Sequence, residues 1–275
     1  MSEPILRPED ERLWRSWVAT CRLHARQRDH QRRVDLARRR VADALAAAPS
    51  WCVMWSGGKD STALVHLACV DLGHRLPVAS EKDDLDYPGE EDYLAGLATA
   101  WGLDLTVLRP PVSPRAWMAE NAATLGAGDD LHSRAAGLSR ACFYDVVERH
   151  GARYDGVMLG LRQEESAGRR ASRAAHGTLY RKAHPYRAEG QWVSTPLADW
   201  TGLDVMAYLL TRTIPVLPVY RCLALAHGRE PWRLRKSWWV PGGHSRWGGA
   251  AWLRHYYPSL YHRLAAWMPD AGAYT

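Results

Sequence analysis

Lysine is scarce in this 275-residue chain: Lys59, Lys82, Lys182 and Lys236 are the only four among 36 lysines and arginines. Where arginine is used so freely, an arginine reflects compositional bias as readily as a role. A retained lysine is the more informative residue. Cysteine is also thin. Cys21, Cys52, Cys69, Cys142 and Cys222 are scattered singly, odd in number and without a Cys-x-x-Cys pair. That argues against a disulfide framework, a thiolate zinc site and a four-cysteine iron–sulfur cluster. Cys52 and Cys69 lie in apolar runs and read as core thiols, leaving Cys142 and Cys222 as weak candidates for chemistry. No apolar run reaches the roughly 18 residues needed to span a bilayer. The opening MSEPILRPEDERLW is acidic, without the basic-then-apolar order of a secretory signal. The expectation is a cytoplasmic protein with no membrane segment.

What is present points to a folded α/β chain. The hydrophobic fraction is 47%, enough for a sizeable core. The net charge of +6 is uneven: residues 51–120 carry 5 basic and 11 acidic side chains, residues 221–275 carry 8 and 2. Residues 11–48 read as one or two arginine-rich helices, with Leu13, Trp17 and Cys21 four apart. Beyond residue 50 short apolar strands alternate with amphipathic helices. Strands are expected at 52–55, 78–79, 103–108 and 156–160, and helices at 61–72, 90–101, 138–150 and 203–211. That alternation predicts a three-layer α/β sandwich around a mostly parallel twisted sheet. The expected division is a helical segment at 1–49, a nucleotide-binding domain at 50–220 and an Arg/Trp-rich lobe or lid at 221–275.

The chemistry concentrates at SGGKDS, residues 56–61, between the strand CVMW and a helix. Free N–H groups and the helix dipole favour an anion at such a junction. Gly57 and Gly58 allow close backbone approach. Ser56 and Ser61 offer hydroxyl donors, and Lys59 adds a positive charge. Asp60 is read as a helix cap or as an organiser of a metal–phosphate complex. The stretch has neither P-loop spacing nor dinucleotide-binding glycine spacing. A turn made only for folding would not need the lysine and both serines.

SGGKDS after a hydrophobic strand resembles the PP-loop of the ATP pyrophosphatase, or adenine nucleotide alpha hydrolase-like, superfamily. GLRQEESAGR at 160–169 resembles a motif of the phosphoadenosine phosphosulfate reductase family. PLADWTGLDVMAYLLTRTIPVLPVY at 196–220 resembles a segment of that family and of the sulfate adenylyltransferase small subunit. The three segments match in order and spacing. The resemblance implies that the loop binds ATP phosphates, with Gly160, Arg162 and Arg169 on the same cleft and Glu165 and Arg170 beside them. Independently, two arginines seven apart suit one anionic ligand; the plainer reading of 162–173 is a solvated charged loop. Asp199 either caps the next helix, with Trp200 packed on the sheet, or takes part in closing the cleft.

Seven acids in EKDDLDYPGEED, residues 81–92, follow an expected strand end. Asp83, Asp84 and Asp86 are candidate Mg²⁺ ligands alongside Asp60; the plainer reading is an acidic surface loop. The reductases have a different segment here and a catalytic cysteine near the C-terminus, whereas this chain has none after Cys222. Reduction is therefore disfavoured. The expected reaction is attack of an acceptor oxygen on the α-phosphate of ATP, with release of pyrophosphate. The acceptor is unidentified. Alternatives are sulfate adenylylation beside a GTPase partner subunit, nucleic-acid thiolation, and a non-catalytic nucleotide-binding regulatory subunit. The Arg/Trp-rich tail is expected to pack as a lobe or subunit interface, homo-oligomeric or with a partner, or else to bind nucleic acid.

Overall fold

The computed structural model describes residues 4–84, 86–120, 140–226, 228–234, 236 and 249–267. The N-terminal stretch forms two helices, α1 (Pro8–His24) and α2 (Arg28–Ala47). The chain then enters the middle of a sheet. Strand β1 (Trp51–Met54) leads through the 56–58 turn into α3 (Lys59–Val65), which continues as a π-helical turn over His66–Asp71. Next come β2 (Val78–Glu81), α4 (Glu90–Trp101), β3 (Leu105–Leu108) and α5 (Pro114–Glu120). A π-helical turn at Arg140–Tyr144 runs into α6 (Asp145–Gly151), followed by β4 (Gly156–Met158) and a 3-10 turn at Gln163–Glu165. Helix α7 (Ala167–His176), the strands β5 (Leu179–His184) and β6 (Arg187–Ser194), and α8 (Gly202–Thr211) complete the sheet region. After the 3-10 turns Pro218–Arg221 and Pro231–Arg233 come α9 (Gly249–Tyr256) and α10 (Pro258–Trp267).

The six strands lie in the order β3-β2-β1-β4-β6-β5. All neighbours are parallel except the β5/β6 pair, which is antiparallel. The mostly parallel sheet expected from the sequence is therefore present. Two elements were not anticipated: the β5–β6 hairpin, and helix α7 where a charged loop was one reading. Alternation along β1 makes the layers. Trp51 and Val53 point into the main apolar cluster with Val34 and Val41 of α2, Leu64 of α3, Leu94 of α4 and Val205 of α8. Cys52 points the other way, to Ala79, Leu108 and the half-buried Val146 and Val147 of α6. Gly156 is fixed by this packing, since a Cβ there would sit 2.5 Å from the Trp51 ring.

The chain runs outward from β1 to β2 and β3, then returns across β1 to lay down β4 on its other side. Reversal of direction between β1 and β4 leaves a crevice at the carboxyl ends of those strands, where open α/β sheets take their ligands. The loop at 56–58 and the segment at 159–162 open onto that crevice.

Two buried aspartates fasten the N-terminal helices to the rest. Asp10 Oδ1 accepts from the backbone N–H of Leu223 (2.7 Å) and Ala224 (2.6 Å) and from the Tyr256 hydroxyl (2.8 Å). It thereby holds α1 on the C-terminal region. That region is not isolated: Leu253, Tyr256, Tyr257 and Leu260 form one apolar cluster with Tyr87, Val219 and Tyr220, against which Leu13, Trp14 and Trp17 of α1 pack. Asp204 is the third residue of α8 and completes the capping box with Thr201, whose N–H and hydroxyl both lie 2.7 Å from Oδ2. The same carboxylate accepts from His24, His30 and Arg33. Burial would raise its pKa, but the hydrogen bonds from His30, His24 and Thr201 override that and hold it well below the ordinary carboxylate range. Asp204→Ala strands an arginine, two imidazoles and a helix N-terminus. The expected loss is about 3–5 kcal/mol of folding stability, read from urea unfolding midpoints.

Candidate functional site

The cradle at the end of β1 is built from backbone. Gly57 takes φ +79°, which glycine adopts without strain, and Gly58 is the N-cap of α3. The two serines organise this turn through one chain of hydrogen bonds. Gly58 N–H donates to Ser56 Oγ (3.3 Å), and Ser61 Oγ donates to the Gly58 carbonyl (3.1 Å). The 3.0 Å contact between the hydroxyls is then Ser56 donating to Ser61. Thr62 Oγ1 adds a link, donating to the Gly57 carbonyl (3.3 Å) while accepting from the Trp55 indole (2.9 Å).

Gly160, just beyond β4, fixes how closely the second wall approaches. A Cβ at this position would lie 2.8 Å from Ser61 N and 2.9 Å from the Asp60 carbonyl oxygen. Only glycine lets the β4 exit rest on the first turn of α3. The contact is backbone on backbone, so it cannot be relieved by a rotamer change. Gly160→Ala should push the two walls apart. A loss of ATP affinity of about tenfold or more is expected, equivalent to roughly 1.4 kcal/mol or more, measured by equilibrium binding beside an unfolding curve.

Across this contact runs a buried relay of charge. Asp60 was expected to cap the helix or hold a metal. The structure corrects the first role: the cap is Gly58, and both Asp60 oxygens are engaged, Oδ2 by Lys59 Nζ at 2.8 Å and Oδ1 by Arg162 Nε at 2.5 Å. Burial would raise the Asp60 pKa, but Lys59 and Arg162 outweigh it and the carboxyl lies below its ordinary value. Arg162 is only 3% exposed and also reaches Glu164 Oε2 at 2.5 Å. Glu164 in turn accepts from Gly202 N–H (2.6 Å), tying the motif to the start of α8.

Arg162 and Arg169 do meet across one anion, but that anion is the Glu165 carboxylate. It lies 3.8 Å from Arg162 Nη2 and is paired directly with Arg169 Nη1. Arg170 is exposed on α7. Asp199 does not cap α8, a role taken by Thr201. Its carboxylate pairs with Arg40 and accepts from Gln163 Nε2 (3.2 Å), with Arg173 Nε 3.5 Å away. Trp200 is buried, beside Tyr208 and His30.

The acidic stretch 81–92 is partly internal rather than a solvated loop. Glu81, Lys82 and Glu90 are buried. Lys82 Nζ pairs with Asp86 (3.1 Å) and with Glu90 Oε1. Asp86 is therefore committed to a lysine. Asp84 Oδ1 is buried and has no hydrogen-bond partner among the described residues. Asp60, Asp83 and Asp84 do not converge: among the described residues the one group of three His/Cys/Asp/Glu ligand atoms within 4.8 Å is His24, His30 and Asp204. That group is accounted for by hydrogen bonds to the α8 cap, with Arg33 already on both carboxylate oxygens.

Sequence reasoning missed Tyr220, which closes the cradle from the other side. The Lys59 N–H donates to its hydroxyl at 2.9 Å, and Lys59 Nζ lies 5.5 Å from its ring centre. It also missed Lys236, whose Nζ reaches Asp86 Oδ1 (2.6 Å) and Glu90 Oε1 (2.8 Å). The rarity of lysine was the available signal, since three of the four line this one place. Other candidates recede. Cys142 and Cys222 are buried, and burial pushes the Cys142 thiol up to about 12 and the Cys222 thiol higher still. Burial pushes the His66 pKa down, and its ring is packed against Trp101 and bonded to the Tyr208 hydroxyl (2.9 Å).

The strand order and this cradle define an α/β protein whose phosphate-type loop sits at the point where the sheet reverses direction. A family model described as the phosphoadenosine phosphosulfate reductase domain matches residues 50–223, and the chain belongs to that family. Sulfate adenylyltransferase subunit 2 of Streptomyces lavendulae is 28% identical over 215 residues, covering 72% of this chain and 62% of that protein. The protein of the same name from Azospirillum brasilense is 29% identical over 187 residues, covering 61% and 59%. The chain thus spans about six-tenths of the length of the curated relatives it matches. Yeast FAD synthetase, solved with FAD, shares the fold with a TM-score of 0.50 and 15% identity over 80% of this chain and 73% of its own. The resemblance read from the three motifs is borne out.

Glu81, at the end of β2, gives the region a pH signature. Burial, then Asp83 and Asp86, push its carboxyl from 4.5 to about 8, and Oε1 has no hydrogen-bond partner among the described residues. Between pH 4.5 and about 8 the unfolded chain has released this proton while the folded chain keeps it. Stability contributed by the neutral acid is therefore lost as pH rises through that window. In Glu81→Gln that loss should vanish, so the unfolding midpoint of the parent falls relative to the variant as pH rises.

Proposed function

We propose that the chain binds ATP with its triphosphate in the Ser56–Ser61 cradle and activates an acceptor by adenylylation. An acceptor oxygen attacks the α-phosphorus, the bond to the bridging oxygen of the β-phosphate breaks, and pyrophosphate leaves with that bond's electron pair. The observation that carries this reading is the loop itself. It is a glycine-shaped helix N-terminus with a buried lysine, held against the β4 exit at the switch point. No covalent role is assigned to Ser56, Ser61 or Lys59, and the protein's part is positioning and charge stabilisation. Gly57 and Gly58 shape the backbone of the cradle, the hydroxyl bonds of Ser56 and Ser61 hold that turn in place, and Lys59 supplies positive charge to the departing phosphates. Arg162 acts through Asp60, whose place it fixes, and Glu165 and Arg169 hold Arg162 in turn.

Magnesium enters this proposal with the nucleotide, retaining waters as its chemistry favours. Asp84, with its unpartnered Oδ1, is the better-disposed carboxylate for it, whereas Asp60 is already saturated by Lys59 and Arg162. Sulfate is the acceptor favoured by the names of the relatives, and "subunit 2" in those names favours a partner chain. Sulfonucleotide reduction is the weaker assignment, because it needs a reachable thiolate. Four of the five thiols are buried and Cys69 is partly so.

A nucleotide-binding subunit without turnover is the second reading. It is favoured by one observation: Lys59 and Arg162 are each already paired with a protein carboxylate. The C-terminal region is proposed as a packed lobe rather than a nucleic-acid surface, since Trp252, Tyr256, Tyr257 and Tyr261 face the apolar cluster. Trp238, Trp239 and Trp247 lie outside the described residues.

Incubation with ATP, Mg²⁺ and a panel of oxyanions, sulfate first, tests the proposal by pyrophosphate release. Acceptor-dependent pyrophosphate supports adenylylation. ATP binding without product across the panel favours the second reading, and thiol-dependent sulfite from a sulfonucleotide would overturn both. Lys59→Ala is expected to reduce pyrophosphate release by about 10²-fold or more, the scale for losing a group that stabilises transition-state charge, with the unfolding midpoint little changed.

A further inference from the structure

We propose that Lys236 is a second lysine of the nucleotide site, brought from the C-terminal region to the outer phosphates of ATP; this rests on the reading of Ser56–Ser61 as the triphosphate cradle. The Lys236 side chain lies directly beside the loop. A Cβ placed on Gly58 would lie 3.6 Å from Lys236 Cβ and 3.4 Å from the Tyr220 hydroxyl. A Cβ on Gly57 would lie 3.2 Å from Glu90 Oε1, the oxygen that Lys236 and Lys82 share. The two glycines therefore lie against a quartet of Lys82, Asp86, Glu90 and Lys236, of which Lys82 and Glu90 are buried.

Charge and donor count within the quartet argue for a ligand. Two ammonium groups balance two carboxylates, so the cluster is neutral while no phosphate is present. Burial would lower the Lys236 pKa, but Glu90 and Asp86 overcome it and keep the ammonium charged. Lys236 has three N–H donors. Two are used, on Asp86 at 2.6 Å and Glu90 at 2.8 Å, and the third has no partner among the described residues. A charged donor with a spare N–H, held beside a phosphate-type loop and 13% exposed, is poised for an anionic oxygen. Composition agrees. In a chain that uses arginine almost everywhere else, Lys59, Lys82 and Lys236 gather at this loop. A compact point charge on a flexible stem fits a tight place between carboxylates and phosphate where a planar guanidinium does not.

The contrast between ATP and AMP tests the role, because AMP lacks the outer phosphates. Lys236→Met should weaken ATP and inorganic pyrophosphate by about tenfold or more, as expected for losing one charge-assisted hydrogen bond. AMP binding should stay within about twofold, and Lys236→Arg should recover part of the ATP affinity. Equal weakening of ATP and AMP, or none, would overturn the proposal. Should Lys236→Met not fold, the parent protein answers. Acetylation of its four lysines, mapped by mass spectrometry, should show Lys236 protected by ATP and by pyrophosphate but not by AMP. Protection by all three or by none counts against it. Lys59→Ala separates the two levels: ATP binding that survives this change removes the cradle reading. ATP binding that needs Lys59 but ignores Lys236 removes only the present inference.

Discussion

No side chain fits between the exit of β4 and the first turn of α3, and the site is arranged around that exclusion. With hydrogen alone at Gly160, the backbone of the second wall lies on Asp60 and Ser61. The separation of the two walls is thereby set by covalent geometry and strand register, not by adjustable side chains. Arg162 follows two residues later and reaches back over the contact to Asp60. The glycine brings the walls together, and the ion pair keeps them in register.

Around this contact the positive groups nearest the loop are each met by a protein carboxylate. Lys59 faces Asp60, Arg162 faces Asp60 and Glu164, and Lys236 and Lys82 face Asp86 and Glu90. Buried ion pairs are weak contributors to stability, because desolvation offsets their attraction. On the proposed function, such a concentration of them in one crevice keeps charge in place for an anion. In that proposal the carboxylates offset the mutual repulsion of the gathered cations, and a phosphate would meet donors already oriented.

The central sheet was legible because its strands are apolar runs and its turns carry glycine. CVMW, the SGGKDS turn and the helix after it could be assigned from pattern alone. The β5–β6 hairpin was not. LYRKAH is a charged edge strand, and RAEGQWVS has polar residues where a buried parallel strand would have valines. Helix α7 escaped for a related reason: none of its residues is buried, so no apolar stripe marks its period. At the site, the loop could be read locally, whereas the burial of Arg162 could not. Its compensating acids include Asp60, 102 residues away, and nothing local distinguishes a buried arginine from a solvated one. Lys236 and Tyr220 were obscured for the same reason, since only the folded chain brings them over the loop. The C-terminal helices, whose aromatic residues looked aperiodic in sequence, pack through Tyr256, Tyr257 and Leu260.

The outer strands have a different consequence. Among the described residues β3 pairs only with β2 and lies at the border of the sheet, with Val107 exposed at 38%. An open strand of apolar residues invites another extended chain to zip onto it. Here the invitation is short. β3 ends after four residues, and Pro110 and Pro111 follow at once, with no N–H to offer a visitor. The opposite border, β5, displays Arg181 and Lys182 to water instead. Among the described residues the sheet has six strands, one margin a short strand followed by prolines and the other bearing exposed cations.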